Sequence, residues 1–91
     1  MKPRTVMDAT DTYIFDRIAV NPARCGGRPT IRGTRLTVQT VLEFLAAGDS
    51  PAEILEDYEY LELADIEACR QFAIKTALET LGHRTYLSAA A

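Results

Sequence analysis

The sequence has one histidine and only two cysteines, Cys25 and Cys69, 44 residues apart. They form no C-x-x-C pair, and with His83 they do not make up a zinc ligand set. No metal and no cofactor are therefore expected, and the thiols read as reduced rather than bridged. Long apolar runs are missing too: none approaches the roughly 20 residues needed to span a bilayer, so no membrane contact is expected. The first residues, Met1-Lys2-Pro3-Arg4-Thr5-Val6-Met7-Asp8, lack the apolar stretch of a secretory signal. The expected compartment is the cytoplasm.

Charge of one sign is missing from each of two long stretches. Arg17 to Leu42 holds five arginines (Arg17, Arg24, Arg28, Arg32 and Arg35) and no acid. Glu43 to Cys69 holds nine acids and neither lysine nor arginine. The net charge of -3 thus averages a basic arm, an acidic body and nearly balanced ends. A pI near 5.0 excludes a uniformly basic nucleic-acid coater, but not a local basic arm.

What is present divides the chain into a flexible leader (1–12), one domain (13–82) and a tail (83–91). Tyr13-Ile14-Phe15 and Ile18-Ala19-Val20 are β-prone, and Pro29-Thr30-Ile31 suits a short edge strand. Asn21-Pro22, Gly26-Gly27 and Gly33 mark the turns between them. From residue 37 the apolar period becomes helical. Val38, Val41, Leu42 and Leu45 share one face, with Thr37 as N-cap and Gly48 as stop. Ser50-Pro51-Ala52-Glu53 combines a capping box with proline at the first helical position, so a second helix starts there. A third runs from near Leu63 to Leu81, with Ile66, Cys69, Ala73 and Ala77 along one stripe and Gly82 at its end. Three helices with short connections predict a mainly α, three-helix bundle of helix-turn-helix type, preceded by short N-terminal β-strands. At 91 residues such a domain buries a modest share of its surface, so a homodimer is expected.

Arg24, Arg28, Arg32 and Arg35 are the candidate partner-binding or DNA-binding residues, since guanidinium forks match phosphates and carboxylates bidentately. Phosphate contact and pairing with acids of this or another chain both fit the pattern. Arg70, Gln71 and Lys75 are secondary DNA candidates, because they form the basic side of the third helix. Gly26, Gly27 and Gly33 are assigned to structural turns. The spacing of Gly27 and Gly33, with no lysine after them, does not make a P-loop. Cys25 has no histidine or asparagine near it in sequence, Cys69 falls on the apolar stripe, and His83 is placed to cap the third helix. The acids read as a solvated helix surface. No catalytic residue is assigned, and no enzyme is expected.

Ile18-x-x-Asn21-Pro22 and Cys25-Gly26-Gly27-Arg28-Pro29-Thr30-Ile31-Arg32-Gly33-Thr34-Arg35 carry a resemblance, continued by Thr37-Val38, Gly48-Asp49-Ser50, Ile54-Leu55-Glu56-Asp57-Tyr58 and Leu61-x-x-x-Asp65-Ile66-x-Ala68-Cys69. Over about 14–75 the chain resembles the small prokaryotic proteins grouped as domain of unknown function 433. That resemblance implies a homeodomain-like three-helix fold whose β-region supports dimer formation. It also implies likeness to VapB-type antitoxins, many members being encoded beside a PIN-like nuclease. Members commonly have proline after the Asp-Tyr pair, where this chain has Glu59. The functional expectation is a non-catalytic antitoxin-like protein that dimerises and binds a partner protein, a PIN-like nuclease toxin. The alternative is a DNA-binding transcriptional autoregulator.

Overall fold

In the computed structural model, residues 11–82 are described; the expected leader lies outside them except for its last two residues, as does the whole tail with His83. Strand β1 (Thr12–Phe15) pairs antiparallel with β2 (Ile18–Val20), matching Thr12 to Val20 and Tyr13 to Ala19. An irregularity between Tyr13 and Phe15 shifts the register so that Phe15 faces Ile18. Strand β3 (Thr30–Ile31) pairs antiparallel with the other edge of β2, giving the order β1-β2-β3. Between β2 and β3 a short 3-10 turn, Cys25–Gly27, carries the positive φ angles of Gly26 and Gly27.

Three helices follow: α1 (Val38–Ala46), α2 (Pro51–Asp57) and α3 (Leu63–Leu81). Their starts follow local chemistry. The Thr37 hydroxyl accepts from the Thr40 amide and opens α1. At α2 the capping box is complete: the Glu53 amide donates to Ser50 Oγ at 3.2 Å, and the Ser50 amide to Glu53 Oε1 at 2.7 Å. The Glu62 amide donates to Asp65 Oδ2 at 2.8 Å and opens α3.

A homeodomain-like helix-turn-helix bundle is not what forms, and that expectation is corrected. Ile18, Ala19 and Ile31 of the sheet are fully buried, in one core with Val41, Ile54, Ile66 and Cys69 of the helices. A sheet that supplies this much of the core is a layer of the fold, not an appendage before it. Short helix connections fix which helices are neighbours, not what the helices pack on, so the sheet's share of the core is not legible in them. A second difference concerns α3. Its stripe is buried at Ile66 and Cys69, half-buried at Ala73 and exposed at Ala77. The C-terminal half of α3 therefore extends past the core, with Ile74, Leu78 and Leu81 exposed. Among the described residues, no helix is long and apolar enough to cross a membrane.

Candidate functional site

The arginine-rich segment divides into engaged and free side chains. The two-residue turn between β1 and β2 presents Arg17, and the chain just after β3 presents Arg32. Arg17 is also tied to Arg32 through the backbone, its carbonyl accepting from the Arg32 amide at 2.8 Å. Both reach the start of α3. Arg32 grips Asp65 with a two-pronged contact, Nε to Oδ1 at 2.9 Å and Nη2 to Oδ2 at 2.8 Å. Arg17 Nη1 lies 2.7 Å from Glu62 Oε1 and 3.1 Å from Asp65 Oδ1. With the Glu62 amide, the fully buried Asp65 carboxylate thus accepts from three donor groups.

Burial alone pushes the Asp65 carboxyl up, but the bonds from Arg32, the Glu62 amide and Arg17 outweigh it. The net effect holds the group below the usual carboxylate range. Hydrogen bonds to Glu62 and Asp65 raise Arg17, and the bond to Asp65 raises Arg32. The two guanidiniums and the Asp65 carboxylate thus compensate one another. Arg24 is engaged as well: its Nη1 lies 2.8 Å from Asp11 Oδ1, an oxygen that also accepts from Asn21 Nδ2 at 2.7 Å.

Arg28 and Arg35 remain on the surface. Arg28 donates from Nε to the Cys25 carbonyl at 3.1 Å and leaves the rest of its guanidinium free of protein contacts among the described residues. The Cys25 thiol, on a residue with φ of 52°, donates to the Arg35 carbonyl at 3.3 Å, which places it in the turn. Cys69 is buried beside Asp65, and burial, with the charge of Asp65, pushes its thiol up to about 12. Of the secondary DNA candidates, Gln71 bonds Glu67 and Lys75 pairs with Glu79, while Arg70 makes no ion pair among the described residues.

The open surface feature next to the arginine segment is an apolar groove between α1 and α3, about 600 Å³ in volume. Val38, Leu42, Phe72, Ala73 and Ala77 line it, together with the charged Arg28 and Glu43.

The family model described as "Protein of unknown function (DUF433)" matches residues 18–73. The chain belongs to that family. No curated protein and no solved structure matches it. The DUF433 segment begins at the first residue of β2 and ends at Ala73, where α3 leaves the core. It contains Arg24, Arg28, Arg32 and Arg35 and the whole acidic body, but not Arg17.

Sequence reasoning grouped the four arginines and missed Asp65. It read the acids as a solvated surface, whereas Asp65 has no exposed area. A signal was available: Asp65 stands four residues before Cys69 and one before Ile66, on the buried side of the helix. The same ion pairs separate the four arginines into two roles. Arg24 and Arg32 hold the fold together, and Arg28 and Arg35 face outwards.

Proposed function

We propose that this DUF433 chain is a non-catalytic, antitoxin-like protein that binds a partner protein, a PIN-like nuclease being the partner of choice. The observation that carries the reading is the groove between α1 and α3, with its mainly apolar lining and Arg28 and Glu43 as its charged members. Such a recess matches an apolar segment of another protein that carries an acid at one end. The fate of the arginines supports a protein over a nucleic acid. Arg17, Arg24 and Arg32 are paired with carboxylates, which leaves only Arg28 and Arg35 of the segment facing outwards. The exposed acids of α2 add complementarity to the basic substrate channel of a nuclease.

The test is co-expression with the product of the adjacent gene, followed by co-purification and a nuclease assay. The chain is expected to co-purify and to suppress cleavage. Thr76→Glu, at an exposed groove-lining position, is expected to weaken the complex about tenfold or more, the cost of burying an unpaired charge. No complex, or one indifferent to that charge, rejects the reading. DNA binding that falls steeply with salt, and that Arg28→Ala with Arg35→Ala abolishes, would instead favour an autoregulator.

A further inference from the structure

One face of α3 is outside both the core and the groove. Leu63, Glu67, Arg70 and Ile74 succeed one another at intervals of four, three and four, and Leu78 and Leu81 continue the line. At 100° per residue these six positions fall within an arc of about 80°. All six are exposed, the four large apolar ones by 51–64%. Intervals alternating between three and four are the spacing of a seam between two packed helices.

The order of side chains along this seam is symmetric. Apolar, acid, base, apolar reads the same in spacing from either end, about a midpoint between Ala68 and Cys69. We infer that the face is occupied by α3 of a second copy of this chain, running antiparallel about a two-fold axis at that midpoint. Charge complementarity selects both the occupant and the direction. In the antiparallel pair each Glu67 meets Arg70 of the other copy, twice over, while Leu63 of each copy meets Ile74 of the other. A parallel pair sets Glu67 on Glu67 and Arg70 on Arg70, and like charges there oppose it. Arg70 has no ion-pair partner of its own among the described residues, and Glu67 accepts only from Gln71. A recess beside Ile74, lined by Leu42, Leu45 and Ala73, lies where Leu63 of the second copy arrives. Two-fold pairing requires a surface complementary to itself, and this one has both ridge and recess.

The area is consistent with a reversible dimer. In this register the two α3 helices face each other over residues 63–74, about 17 Å, with the adjoining end of α1 beside them. That is a small contact, at or below the low end of specific interfaces, so the dimer is expected to be reversible.

The inference rests on the preceding section only in treating the chain as a protein-binding module, and its test uses the isolated full chain without a nuclease. Sedimentation equilibrium is expected to give a monomer–dimer equilibrium with a dimer at twice the 10.1 kDa chain mass. Glu67→Arg and Arg70→Glu each create like charges across the seam, and each is expected to weaken the dimer at least about tenfold. Mixed one to one, the two variants are expected to associate, because every Arg then meets a Glu. The double exchange in one chain is expected to restore the homodimer. Circular dichroism of each variant should match the wild type, since both positions are exposed. A wild-type monomer up to about 200 µM, beyond the micromolar range of weak specific complexes, overturns the inference. So does a dimer that tolerates both single variants, or two variants that fail to associate when mixed.

Discussion

Asp65 shows how one side chain can decide whether a charged segment is a surface or part of the core. Replacing it by asparagine keeps the shape but removes the charge that compensates Arg17 and Arg32. Breaking a buried ion-pair network in this way costs about 3 kcal/mol, measurable as a lower denaturation midpoint in urea. The pH dependence follows from the direction of the shift. The folded carboxyl sits below the unfolded value of about 3.9, so its stabilisation is complete at neutral pH and is lost as pH falls through the folded value. Acid unfolding of the wild type should steepen below about pH 4, whereas Asp65→Asn should show a shallower profile. The cysteines give a second test at this scale. At pH 8 a thiol reagent should modify the half-exposed Cys25, while Cys69, buried and with its thiol raised to about 12, should react only after unfolding.

Among the elements, the helices were the legible part. Thr37, Ser50 with Pro51 and Glu53, and Gly82 delimit them by local hydrogen bonding and backbone geometry, which a sequence displays directly. The contribution of one cap is testable: Ser50→Ala should cost about 1 kcal/mol, seen as a lower thermal midpoint. The β-prone pieces were also visible, since Tyr13, Ile14, Ile18 and Val20 favour strands. Their role was not. Whether Ile18 and Ile31 cover helices or merely precede them depends on contacts between residues far apart in sequence. For the same reason the apolar stripe of α3 did not reveal where it leaves the core, at Ala73. The four candidate arginines were visible as a group, but their division required the position of Asp65. Hydrogen exchange should resolve the two halves of α3. Amides around Ile66–Cys69 should be protected at all concentrations, and those around Ile74 should gain protection as protein concentration rises.

At the scale of the whole molecule, the acidic average conceals a neutralised interior contact and two outward-facing surfaces on α3. One is the groove toward α1, the other the seam from Leu63 to Ile74. Leu42 and Ala73 line both the groove and the recess of the seam, so a partner on the first and a copy on the second meet at that edge. Association also adds to stability by mass action. The thermal midpoint of the wild type should therefore rise with protein concentration, and that of Arg70→Glu should not.

The contacts of Asp65 also bear on how the chain is made. They join positions separated by 33 and 48 residues, and the arginines are synthesised first. A ribosome that has delivered the whole sheet has yet to deliver its counter-charge, so the strands wait, unassembled, for the first turn of α3. A truncated chain ending soon after Asp57 should be open to protease, and one extended to the end of α3 should resist it. Because the arginines precede the decisive carboxylate in the chain, the sheet cannot be neutralised until the first turn of α3 has been made.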